Sequence, residues 1–215
     1  MESATSLSLY YNPGSASLAP HLVLNELGLA HELVSIDQEA GEQKRARYLQ
    51  LNPHGRIPTL VHGELVLYEA AAICMYLADL APGVLAPPHG SSQRPLMLQW
   101  MCFLTNTLQP ALMHFHYPEV VHSASPGRHA LREYGERWAG ELFLRLDREL
   151  ATRRFLLGDT PSICDFFLLM LCRWARTFAQ PPRALPHLGP AMSRLLDRNA
   201  VQLTLAREGV SSPYV

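Results

Sequence analysis

The sequence predicts two domains in series, a small α/β domain and then an all-helical one, and three observations carry that prediction. Apolar residues alternate with period two in several short runs within the first eighty residues, and in no convincing run after them. A stretch rich in Pro, Gly and Ser follows, holding Pro82, Gly83, Pro87, Pro88 and Gly90, and reads as a linker. Beyond it the apolar spacing becomes three and four, as in Leu98, Met101, Leu104 and Leu108, and again in Trp138, Leu142, Leu146 and Leu150. The expected division is residues 1–81, a linker at 82–93, and a helical domain at 94–215.

Leu7, Leu9 and Tyr11 alternate as a strand that Asn12-Pro13-Gly14 ends. A helix follows, with Ser15 or Ser17 as its cap, Pro20 tolerated in its first turn, and Gly28 as its stop. Residues 31–36 form the next strand, and a polar helix-like stretch runs from Gly41 to Leu51. Residues 59–61 and 65–67 pair as a hairpin about His62-Gly63, and Glu69 opens an alanine-rich helix that reaches about Leu80. Strands joined through a helix must run parallel, whereas a hairpin is antiparallel, so the order β-α-β-α-β-β-α gives a small mixed sheet covered by helices. That is a thioredoxin-like layout. In the second half, Ser162 followed three residues later by Asp165 marks a helix start, and residues 185–198 supply another helix. The tail to Val215 is too short and mixed to assign.

With 48% hydrophobic and 17% charged residues the chain is an ordinary globule, and 18 basic against 19 acidic residues leave no cationic block for a phosphate backbone. Nucleic acid is not an expected partner. Cys74, Cys102, Cys164 and Cys172 lie in apolar segments with no C-x-x-C spacing, as buried thiols in a reducing compartment do. Neither a signal peptide nor a membrane-length apolar run is legible, so no membrane is involved and the expected location is cytoplasmic. His114 and His116, with Tyr117 and His122 nearby, do not make a metal site, because positions two apart do not share a helix face.

Residues 52–73 concentrate the binding chemistry. Pro58 precedes a β run, where a proline belongs only at a strand start, an edge or a cis turn, and its missing N–H leaves neighbouring backbone groups open. The helix opening at Glu69 offers unpaired N–H groups to a carboxylate, while Glu69 itself suits an ammonium. A zwitterionic amino acid or peptide fits that pair. Arg56 reads either as a solvated loop charge or as a carboxylate clamp.

The runs LYYNPGSASLAPH at residues 9–21, NPHGRIP at 52–58, EAAAI at 69–73, YLAD at 76–79 and SICD at 162–165 resemble the cytosolic glutathione transferases, most closely their bacterial beta class. The resemblance spans nearly the whole chain. It implies a thioredoxin-like α/β domain that binds glutathione as co-substrate, an all-α domain, and a cytoplasmic homodimer that joins glutathione to small hydrophobic electrophiles in detoxification. Ile57, before a cis Pro58, would offer its backbone to the cysteinyl part, and Glu69 with the Ala70 backbone would hold the γ-glutamyl end, flanked by Ser15 and Arg56. Leu104, Leu108, Met113, Phe115, Tyr117 and Trp174 carry enough apolar bulk to line an electrophile pocket between the domains, with core packing the default for any one of them.

Departures from the family pattern also stand out. The resemblance puts a cysteine at Ala16, a serine at Ala70, an asparagine at Cys102 and a His-Lys pair at Gln109-Pro110. These motivate an alternative, a non-catalytic binding or regulatory module, while Ala16 argues against thiol-disulfide chemistry, which needs a protein cysteine. Pro110 should end or kink its helix before Met113. Catalysis would need the thiolate of glutathione, and the available hydroxyl donors are Ser17, Ser15 and Tyr11. Ser17 leads; helix capping is the competing role for either serine, and a core-facing strand position for Tyr11.

Overall fold

A computed structural model describes residues 6–215. Four strands, β1 (Leu7–Tyr11), β2 (His31–Ser35), β3 (Thr59–His62) and β4 (Leu65–Tyr68), form one sheet in the order β2-β1-β3-β4. β1 and β2 run parallel, and β3 runs antiparallel to both β1 and β4, which is the mixed sheet the connections require. Leu7 and Leu9 alternate inward, where Leu9 and Leu60 are fully buried with Leu22, Ile73 and Leu77 of the helices α1 (Leu18–Glu26) and α3 (Ala70–Leu80). Each such side chain contributes about 1.5–3 kcal/mol. The opposite face carries a smaller cluster of Ile36, Tyr48 and Ile57 with Tyr10 against it. Tyr48 belongs to α2 (Ala46–Leu49), a single turn preceded by a 3-10 turn at Glu42–Lys44; the polar stretch after Gly41 is too poor in apolar contacts to hold a longer helix.

Packing separates residues up to Pro88, joined by Arg198–Ser211, from His89–Asp197 with Ser212–Val215. The second unit contains α4 (Arg94–Phe103), α5 (Gln109–His116), α6 (Ser125–Glu149), α7 (Ile163–Trp174) and α8 (Leu188–Leu196). Its core is α7, every residue of which from Ile163 to Cys172 is buried. The expected box at its start is present: Asp165 accepts the N–H and hydroxyl of Ser162, each at 2.8 Å, and the Leu156 N–H at 2.8 Å. Burial pushes the Asp165 carboxyl up to about 6, against the pull of those donors.

Two expectations for this unit need correction. Pro110 does not end its helix before Met113, since α5 continues to His116; the departure from regular helix falls just before it, in a π turn at Leu104–Leu108. Proline has no N–H for the carbonyl four residues back and its ring crowds that carbonyl, and the wider turn relieves both. Leu104 and Leu108 are fully buried and belong to the core, so they line no pocket. The tail also holds a further helix, α9 (Asn199–Arg207), which packs on α1 in the first unit. Among the described residues no helix is long and apolar enough to cross a membrane, and no group of three metal-ligating side chains occurs.

Candidate functional site

The sheet register decides where the site lies. Tyr10 pairs with Thr59, and Thr59 with Tyr68, so the end of β1, the start of β3 and the end of β4 form one row across the sheet. The segments just outside that row are therefore neighbours: the loop at residues 12–17, the Ile57-Pro58 step, and the Glu69-Ala70 step into α3. Adjacent strands are about 4.8 Å apart, so the row spans about 10 Å, the length of an extended tripeptide.

At its centre the Ile57-Pro58 bond is cis, and both residues are buried. The preceding turn is held by side chains from α2 and its flank. Tyr48 Oη donates to the Arg56 carbonyl at 2.7 Å, and Asn52 Nδ2 donates to the same oxygen at 2.8 Å. A phenol has one hydrogen, so the Thr59 hydroxyl, 2.8 Å away, donates to Tyr48. Burial raises the Tyr48 pKa, which keeps that hydrogen in place. Gly55 lies in the left-handed region at φ 57°, and a Cβ there would sit 2.8 Å from the Gln43 carbonyl and 2.9 Å from the Lys44 side chain. The Arg56 side chain is exposed.

At the β4 end, Glu69 is exposed and has φ 71°, the single non-glycine residue with positive φ among the described residues. Such a conformation costs on the order of 1–3 kcal/mol and is kept where surrounding structure imposes it. Here it turns the chain directly from strand to helix, placing the buried Ala70 at the first position of α3 with its N–H end toward the row.

At the β1 end the hydroxyls are arranged unequally. Ser17 is fully buried (0% exposed), donates to the Asn12 carbonyl at 3.0 Å and accepts the Asn12 N–H at 3.2 Å. Since its one hydrogen goes to Asn12, Ser15 donates across the 3.0 Å Ser15–Ser17 contact. Ser15 and Ala16 are half-buried. Ser17 does not cap α1: it occupies the cap position without a side-chain bond to the helix, because its hydroxyl is turned back to Asn12. Tyr11, also half-buried, sets its ring edge against His21, with ring centres 6.2 Å apart. The register thus brings Ser15, Ser17, Tyr11, Ile57, Pro58, Glu69 and Ala70 to one end of the sheet, and Arg56 to its rim.

One residue absent from the sequence reading also reaches this loop. Glu208, just past α9, accepts the Gly14 N–H at 2.8 Å across 194 positions of chain. In the second unit, the paired histidines diverge as their spacing predicts. His114 stacks beside Trp138 and Tyr134, whereas His116 Nε2 donates to the Trp174 carbonyl at 2.9 Å, and burial lowers the His116 pKa.

Comparison with known proteins follows the same outline. Residues 5–79 match the family described as "Glutathione S-transferase, N-terminal domain". Glutathione S-transferase GST-4.5 of Xanthomonas campestris pv. campestris is 31% identical over 206 residues, covering 95% of this chain and 100% of the relative. Glutathione S-transferase GstA of Escherichia coli O157:H7 is 28% identical over 207 residues, with 95% and 100% covered. Among solved structures, a glutathione-S-transferase from Xylella fastidiosa superposes with a TM-score of 0.87 at 27% identity, covering 95% of this chain and 100% of that one. A sphingomonad glutathione S-transferase complexed with glutathione gives 0.83 at 29% identity, with the same coverage.

Proposed function

The chain belongs to the glutathione S-transferase family and is a transferase that uses glutathione; from that premise we propose how its own residues hold and activate the peptide. The observation that carries the reading is the row Tyr10–Thr59–Tyr68, which sets three segments of suitable chemistry a tripeptide's length apart. The γ-glutamyl end of glutathione is its zwitterionic head. Its carboxylate meets the N-terminus of α3 at Ala70, and its ammonium meets Glu69. The cysteinyl part pairs with the backbone of Ile57 at the cis Pro58, and Arg56 stands where an exposed cation can reach a carboxylate. This leaves the sulfur at the loop of residues 12–17.

A free thiol with a pKa of about 8.5 is only a few per cent ionised at neutral pH, and each unit of lowering corresponds to about 1.4 kcal/mol in favour of the thiolate. Ser15 is the hydroxyl best situated to supply that preference. Ser17 is closed off and its hydrogen is bound to Asn12; Ser15 is half-exposed and can rotate its hydrogen from Ser17 toward a thiolate. Ser17 then serves as the support that holds Ser15, and Tyr11 packs on His21. A small hydrophobic electrophile is the co-substrate the family likeness favours. Detoxification in the cytoplasm by a homodimer completes the proposal; Leu96 and Leu98 of α4 are exposed apolar side chains that a second copy would cover.

The test is retention on immobilised glutathione followed by conjugation assays over a series of electrophiles of rising apolarity. Elution by free glutathione and turnover that rises with apolarity are expected. Retention without turnover on any electrophile would remove the assignment of Ser15, and a monomeric mass by light scattering would remove the dimer.

A further inference from the structure

Glu208 sits in no motif, yet its side chain and that of His21 are both fully shut off from solvent. Its two oxygens are divided between two partners. Oε1 lies 2.8 Å from His21 Nδ1, and Oε2 accepts the Gly14 N–H at 2.8 Å. A carboxylate has no hydrogen to give, so His21 donates through Nδ1. A charge buried this completely is costly unless donors meet it, and here both donors belong to the β1–α1 corner.

The helix that delivers the carboxylate is fastened to α1 along its length. Arg198, before α9, pairs with Glu26 near the end of α1, and Asn25 Nδ2 donates to Thr204 Oγ1 at 2.8 Å. The Asn25–Thr204 bond holds the end of α9 nearest Glu208, whereas the Arg198 pair holds its far end. What Glu208 grips is the turn leading into Ser15: Gly14 has φ 67°, a left-handed conformation that sets the direction of the next peptide. The His21 ring, in turn, packs against Tyr11 and, with ring centres 5.5 Å apart, against His31.

We propose that Glu208 is a positioning residue for the transferase reaction: through the Gly14 N–H and His21 it fixes the loop of residues 12–17, and so aims the Ser15 hydroxyl at the sulfur of glutathione. The inference rests on the reading of Ser15 as thiolate donor. It predicts that a residue touching neither substrate controls ionisation of the bound thiol, because a hydroxyl displaced by about 1 Å can lose on the order of a hundredfold in rate.

Three variants separate positioning from general support. Glu208→Ala deletes both bonds. Glu208→Gln keeps the Gly14 bond through its amide oxygen and can donate to His21 Nδ1 once the ring moves its hydrogen to Nε2, which has no hydrogen-bond partner to lose. Arg198→Ala loosens the other end of α9 without touching the loop. The bound thiol is titrated by its thiolate absorbance, alongside kcat, KM for glutathione and the melting temperature. Glu208→Ala should raise the bound-thiol pKa by about one unit and lower kcat ~10- to 100-fold with KM changed less than ~3-fold. Glu208→Gln should stay within ~3-fold of the parent in kcat, and Arg198→Ala should melt earlier with its kcat and thiol pKa unchanged.

A Glu208→Ala protein that titrates and turns over like the parent would overturn the proposal, as would an Arg198→Ala protein that loses turnover equally. If Glu208→Ala does not fold, amide exchange of Gly14 in the parent protein decides: strong protection sustains the proposal, and exchange as fast as an open loop ends it. Failure of the underlying reading is visible separately, since Ser15→Ala would then leave the bound-thiol pKa where the parent has it.

Discussion

On the side of Pro58 and Glu69 the candidate site is made of backbone, with a cis peptide, a positive-φ residue and the first N–H of a helix turned toward the ligand row; across the sheet end, the loop of residues 12–17 is made of side chains. The backbone side is pinned locally, by Tyr48 and Asn52 within eight residues of the Arg56 carbonyl they hold. The hydroxyl side is pinned from the far end of the chain, by Glu208. Backbone contacts survive most side-chain substitutions, whereas a hydroxyl network fails one residue at a time. Binding should thus be the robust property of this transferase and rate the fragile one.

The largest expected effect falls on the fragile side. Ser15→Ala should lower turnover at saturating glutathione ~10- to 1,000-fold while affinity by calorimetry stays within a few-fold, because the peptide is still gripped by Ile57, Glu69 and Ala70. If affinity and turnover fall together, the two sides are not separable in this way. Glu69→Gln probes the other side: losing a charge-assisted contact of about 1.5–3 kcal/mol should weaken glutathione ~10- to 100-fold and leave saturated turnover nearly unchanged. A drop in saturated turnover equal to that of Ser15→Ala would merge the two roles.

Ser17→Ala sharpens the division within the loop. A fully buried hydroxyl that serves both the N–H and the carbonyl of Asn12 should cost ~1–3 kcal/mol of stability in urea unfolding when removed. Turnover should fall less than in Ser15→Ala; the reverse order would make Ser17 the thiolate donor. Tyr11→Phe should be the mildest change, within ~2-fold in turnover, because the ring contact with His21 is retained. A damaging Tyr11→Phe would transfer the role to the phenol.

The same contrast explains what was legible in the sequence. The hairpin, the Pro58 step and the helix opening at Glu69 are local features whose residues carry their own geometry, and they stand where the sequence puts them. The box from Ser162 to Asp165 is likewise a three-residue rule. The sequence leaves Ser15 or Ser17 as cap and favours Ser17 as thiolate donor, but the Ser17 hydroxyl bonds back to Asn12, since a serine has several backbone groups within reach and tertiary burial chooses among them. Glu208 was not legible at all: a lone acid after a nine-residue helix carries no periodic signal, and its partners lie 187 and 194 positions away. The π turn was half legible, as Pro110 forbids a regular helix without saying how the chain will adapt.

The central claim is that the sulfur of bound glutathione lies at the turn into α1, and Ala16→Cys tests it most directly. Ala16 is half-buried beside Ser15, so a thiol introduced there is reachable and lies next to the proposed sulfur position. Cys102, against the expectation of burial, is exposed, so the variant is made with Cys102→Ser. Under mild oxidation with glutathione it should then form a mixed disulfide, read as a glutathione-sized mass increase that reductant reverses, while Cys74, Cys164 and Cys172 stay buried and unmodified. An introduced cysteine that reacts with a small alkylating reagent yet never captures glutathione would place the sulfur elsewhere and contradict the account.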